Sequence, residues 1–150
     1  MRETGLTRFS FDGTVDHRGG QQFVNGRGFA GDDFRNVFRP EPHGFASHPV
    51  KGGQGLVLQS RGARDAGYVM GGENPQMRPS LTPGASALYD QNGHILKVFD
   101  DGMVLDVKGK SITMSAGSGY TLTGDVRIEG ALHVTGNITT DSTNPNAHSH

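Results

Sequence analysis

Leu122-Thr123-Gly124-Asp125-Val126-Arg127-Ile128-Glu129-Gly130-Ala131-Leu132-His133-Val134-Thr135-Gly136-Asn137-Ile138-Thr139-Thr140 decides the fold. Every even position is apolar, Gly or Thr, and every odd position but Ala131 is polar. A period of two places the even set on one face of an extended chain. A second period lies over the first: Gly124, Gly130 and Gly136 recur every six residues, so the stretch reads as three hexads.

One inward position of each hexad is Gly, and the other two carry Val, Ile or Leu except at Thr140. Glycine inside a strand marks a kink or a close backbone approach. A kink at fixed intervals suits a chain that winds about an axis in short straight runs, as β-helical repeats do. Three hexads cannot bury their own apolar stripe, because repeat units need stacked neighbours to close a core. Identical chains are the simplest neighbours. Three stripes facing one axis make a closed prism with no free sheet edge. The competing reading is one long, half-buried antiparallel strand with a chance spacing of Gly.

Composition agrees with a short-stranded β protein. Of 150 residues, 33% are hydrophobic and 24 are Gly. A formal net charge of -1 gives no electrostatic reason to expect nucleic acid or anionic lipid as a partner. The chain has no Cys, which rules out disulfides and thiolate metal sites and suits assembly in a reducing cytosol. No run approaches the roughly 20 apolar residues of a membrane-spanning helix. The start, Met1-Arg2-Glu3-Thr4, is followed by no apolar run, so no secretory leader is expected.

In chain order, strands are predicted at 7–16, with Phe9, Phe11 and Val15 on one side and a bulge at Asp12-Gly13, and at 21–30, anchored by Phe23 and Phe29. Others are predicted at 34–39, 55–58 and 66–70. No apolar face with helical spacing persists over 11 residues. Short strands joined by Gly- and Pro-rich turns over residues 1–72 predict a closed barrel of the OB type. Residues 73–84 form a Pro/Gly-rich connector. Residues 85–140 read as strands at about 8-residue spacing, including 95–99, 103–107 and 111–114, with a hairpin at Asn92-Gly93, running on into the hexads. Residues 141–150 are the apex. The fold class is all-β: an N-terminal OB-like barrel followed by an intertwined trimeric β-helical prism.

The chain ends Asn146-Ala147-His148-Ser149-His150. In an extended chain His148 and His150 face the same way. Three copies on one axis would bring six imidazoles together, enough for octahedral coordination of iron or another first-row ion. His43, His48, His94 and His133 are isolated in sequence, and Asp32-Asp33 and Asp100-Asp101 sit in turn signals. There is no phosphate-cradling Gly-Lys-Ser/Thr, no Gly-x-Ser-x-Gly and no Cys nucleophile, so no enzyme is expected. OB barrels can bind oligonucleotides or sugars. That alternative, a carbohydrate- or nucleic-acid-binding module on a β-solenoid stalk, calls for a basic groove with exposed aromatics. Here the arginines are scattered among acids and no two adjacent aromatics form a platform.

Several stretches together resemble the central spike proteins of contractile-tailed bacteriophage baseplates, of the Mu-like spike or baseplate assembly protein V family. They are Pro42-His43-Gly44-Phe45-Ala46-Ser47-His48-Pro49 with Lys51-Gly52, Gly71-Gly72-Glu73-Asn74-Pro75, Ala87-Leu88-Tyr89-Asp90-Gln91-Asn92-Gly93, and the Gly-spaced repeat. The resemblance implies a homotrimeric virion protein, assembled in the host cytoplasm and placed at the tip of the tail. Its barrels would meet the baseplate hub and tail tube proteins. Its prism would pierce the host outer membrane mechanically when the sheath contracts, with no nucleic acid or small-molecule substrate. In related spikes an iron ion on the three-fold axis is held by a His-x-His, which falls on His148 and His150 here.

Overall fold

Phe9-Ser10-Phe11 sets the first strand: two rings on one face, a hydroxyl on the other. In the computed structural model, which describes residues 5–59 and 67–139, that strand is β1 (Gly5–Arg18). Its first half pairs with β4 (Gln54–Gln59) and its second with β2 (Gln21–Arg27). The change of partner needs a bend, and the Asp12-Gly13 bulge supplies it. Gly13 takes φ +93°, and the Asp12 carboxylate accepts the Thr14 N–H at 2.7 Å. With β3 (Asp33–Phe38) and β5 (Gly67–Glu73), the strands close a barrel in the order β1-β2-β3-β5-β4. β3 and β5 run parallel and every other pair is antiparallel. The OB-like barrel predicted from the turn spacing is present.

The core is Phe9, Phe11, Phe34 and the valines 24, 37, 57 and 69. Phe9 meets Phe11 edge-on, with centroids 4.9 Å apart, and Phe34 at 6.0 Å. Rings this large fit a five-stranded barrel only if facing strands give up side chains. A Cβ on Gly26 would fall 2.3 Å from the Ser10 carbonyl oxygen and 2.5 Å from the Phe9 ring. One on Gly55 would fall 2.4 Å from the Met70 carbonyl oxygen and 3.0 Å from the Phe11 ring.

That spacing overturns one expectation. Phe23 and Phe29 are not core anchors. β2 turns Gln22, Val24 and Gly26 inward, because the position facing the Phe9 ring must be empty. Phe23 therefore points outward. Phe29 lies past the strand, in a 3-10 turn (Phe29–Gly31), and is 77% exposed.

After the barrel, β6 (Ser86–Tyr89), β7 (Ile95–Phe99) and β8 (Gly102–Asp106) form an antiparallel sheet. The Asn92-Gly93 turn between β6 and β7 is organised by Asp90, whose carboxylate accepts the backbone N–H groups of Asn92 at 2.8 Å and His94 at 2.9 Å. Register puts Leu88, Leu96 and Leu105 in one row and Val98 beside Met103 in the next, all on one face. That face is open to solvent, with Leu88, Val98, Met103 and Leu105 between 45% and 69% exposed. Residues 111–114 form no strand: β8 is followed by a turn in which Lys110 N–H reaches the Val107 carbonyl at 2.9 Å, and among the described residues no further segment pairs with the outer edge of β8.

The chain divides into residues 1–112 and 113–150. In the second unit the described residues form no strand, and the apolar side chains of the hexads are exposed, from 43% at Val134 to 72% at Leu122.

Candidate functional site

Arg39 follows the last residue of β3 and points into the barrel rim, 6% exposed. A charged guanidinium out of water needs a partner for each donor. Its Nε donates to the Gly71 carbonyl at 2.7 Å, Nη1 to Gln22 Oε1 at 2.7 Å, and Nη2 to Ser47 Oγ at 3.0 Å. Nη1 also lies 3.0 Å from Glu41 Oε1. Glu41 in turn accepts the Ser47 hydroxyl at 2.6 Å and the Ser47 N–H at 3.0 Å. Gln22 donates back to the Ser47 carbonyl at 2.8 Å.

Burial alone would raise the Glu41 pKa. The two hydrogen bonds from Ser47, with the Arg39 charge, outweigh it and hold the carboxyl below its ordinary value. The network joins β2, β3, β5 and the loop at 40–53. It also joins two motifs that are separate in sequence: Ser47 belongs to Pro42–Pro49, and Gly71 to Gly71–Pro75. Gly72 is required beside it, because at φ +126° a Cβ would lie 3.0 Å from Arg39 Nη2. The strapped loop borders a cavity of about 460 Å³ whose lining includes Phe38, Phe45, Ser47, His17 and His48. With its donors and acceptors turned on one another, the cluster works as a rivet that fixes loop to barrel.

The predicted metal ligands His148 and His150 lie outside the described residues. Among the described residues no group of three or more His, Cys, Asp or Glu is placed to hold an ion. His94 is tied to its own turn, with Nδ1 2.9 Å from Asp90 Oδ2.

The barrel's outer face carries what the sequence did not disclose. Phe23 sits opposite Phe38, and Phe38 opposite Tyr68, with ring centroids 5.8 Å and 6.1 Å apart. Strand pairing thus assembles a row from three segments distant in sequence. The rings are tilted by 42° and 63° to one another, and the Arg18 guanidinium caps Phe23 at 4.1 Å while paired to Asp16 at 2.8 Å. Such a row is not the flat platform in a basic groove that stacks nucleobases.

Among the described residues apolar surface is left open on the face of the β6–β8 sheet, along the hexad stripe and on the barrel's outer side. Contiguous exposed apolar surface marks interaction sites. Comparison with protein families finds that residues 13–76 match the family described as Bacteriophage Mu Gp45, N-terminal. The match takes in the second half of β1, the rest of the barrel strands and the whole Arg39 rivet. Comparison with curated proteins found no match.

Proposed function

We propose, on the premise that residues 13–76 carry the Mu Gp45 N-terminal unit and make this chain a phage baseplate structural protein, that it is the trimeric central spike which pierces the host outer envelope. One observation carries the reading: the apolar face of β6–β8 and the hexad stripe that follows it in sequence are both left exposed among the described residues. Burying a Leu, Ile or Val side chain contributes roughly 1.5–3 kcal/mol. The stripe offers Leu122, Val126, Ile128, Leu132, Val134 and Ile138 in each copy. Three stripes on one axis would gain on the order of 10 kcal/mol per copy from these six residues alone. The same closure pairs every strand edge, forming the β-helical prism.

Piercing then follows from mechanics. Sheath contraction drives the tail down, and load along the axis must shear many interchain hydrogen bonds together. The polar odd face keeps the outside wetted until it meets the envelope. The barrels sit at the other end of the chain's course and meet the hub and tail tube proteins. In this trimer His148 and His150 of each copy supply the imidazoles for an axial iron or another first-row ion; elemental analysis of a tag-free trimer, repeated on His148→Ala/His150→Ala, decides that assignment.

A carbohydrate- or nucleic-acid-binding module on a stalk is the second reading, favoured by the Phe23–Phe38–Tyr68 row alone. Mass by light scattering at low concentration separates the two. The spike is a trimer that withstands unheated SDS; a monomer or dimer with measurable oligosaccharide affinity would overturn it.

A further inference from the structure

The aromatic row is half of a longer belt. Register continues it past Tyr68 to Leu58 on β4 and Leu6 on β1, so five strands each place one outward apolar side chain at matching positions. A second outward pair, Leu56 and Met70, lies alongside. The belt stops at β1's other end, where Asp16, the residue opposite Phe23, is paired with Arg18. Two chemically distinct arcs result. One is aliphatic, from Leu6, Leu56, Leu58 and Met70. The other is aromatic, from Tyr68, Phe38 and Phe23.

We infer that the belt is the contact between neighbouring barrels, the aliphatic arc of one copy seated on the aromatic arc of the next. This rests on the trimer proposed above. A ring closed by rotation uses heterologous contacts, in which each copy presents two different patches, and the belt supplies two. Its size points the same way. Leu6, Met70, Tyr68 and Leu56 are 59%, 49%, 45% and 41% exposed. At roughly 150–250 Å² per large side chain, these four leave about 300–500 Å² bare. That reaches the largest patch an ordinary monomer shows, about 300–600 Å². It falls short of the roughly 800 Å² per partner that a free-standing complex buries. A patch of this size holds a partner that is already tethered, because tethering raises its effective concentration. A second copy of this chain, fastened through the prism, is such a partner.

The absence of cysteine makes the contact testable in the full chain. Leu58→Cys and Phe38→Cys flank Tyr68 on either side, two strand spacings or about 9–10 Å apart within one barrel, too far for an internal disulfide. Oxidation of the double variant is expected to give covalent trimers on heated, non-reducing denaturing gels, while each single variant runs there as a monomer. Circular dichroism of the reduced sample checks folding, and Leu56→Cys with Phe23→Cys reads the same contact if the first pair fails to fold. A species that light scattering reports as trimeric but that gives no cross-link overturns the belt and spares the spike. Covalent dimers from a single variant also overturn it, since they require like patches to meet. A monomer by light scattering overturns both.

Discussion

Arg39 Nη1 lies 3.0 Å from Glu41 Oε1, with 6% and 14% of the two side chains exposed. A pair this sheltered behaves differently from the surface pairs Arg35–Asp33 or Arg78–Glu73, both of which are open to water. Removing one partner of a buried pair leaves a desolvated charge and costs about 3–5 kcal/mol. Glu41→Ala is expected to destabilise the barrel by that amount, and Arg35→Ala by under about 1 kcal/mol. Because the barrel and the segments after it need not unfold together, the measurement is hydrogen exchange of the β2, β3 and β5 amides. Unchanged protection in Glu41→Ala would show that the rivet holds nothing.

The same carboxylate sets an acid limit. Its folded pKa lies below the ordinary 4.5, since Ser47 and Arg39 more than offset the opposing effect of burial. A depressed carboxyl pKa contributes stability that is fully present above the unfolded value and lost as pH falls through the folded one. Barrel protection should therefore hold from neutral pH down to about 4.5 and decline below it. Glu41→Gln should start lower and show a shallower decline. A decline of equal steepness in the variant would place the acid limit in other groups.

Gly26 faces both a ring and a backbone carbonyl, and the carbonyl cannot rotate aside. Overpacking a well-filled core typically costs 1–3 kcal/mol and occasionally more. With a Cβ 2.3 Å from the Ser10 oxygen, Gly26→Ala should fall at or above about 3 kcal/mol. Gly5→Ala, which meets only the flexible Gln59 side chain at 3.3 Å, should change little. Equal chemical stability of the two variants would refute this account of β2.

The barrel was legible in the sequence because its signals are local. Phe9-x-Phe11, the Asp12-Gly13 bulge and the Gly- and Pro-rich turns each act within a few residues. What stayed hidden depends on pairing. Whether Phe23 faces in or out is settled by which residue of β2 the Phe9 ring lies against, and that is Gly26, the register partner of Phe11 on the neighbouring strand. The belt needs the register of five strands at once. Arg39 looked like one of several scattered arginines, although the motifs it joins were both visible. A strand at 111–114 is expected from the spacing of strands and turns, but strands need partners, and none of the described residues supplies one.

The trimer can be challenged with one side chain on each face of the hexads. Ile128 is an inward position by period and 54% exposed in the single copy. Ile128→Asp would set three carboxylates around a dry axis, where like charges at close range cannot all ionise and none has a cation to pair with. Its odd-face neighbour Arg127 pairs with Glu129, both largely exposed, so Arg127→Ser should cost within about 0.5 kcal/mol. Light scattering over a dilution series, with unheated SDS gels alongside, is expected to show Ile128→Asp shifted to monomer and Arg127→Ser unchanged. Should Ile128→Asp stay trimeric and SDS-resistant, the even face is not the one turned to the axis, and the prism assignment fails at its central residue.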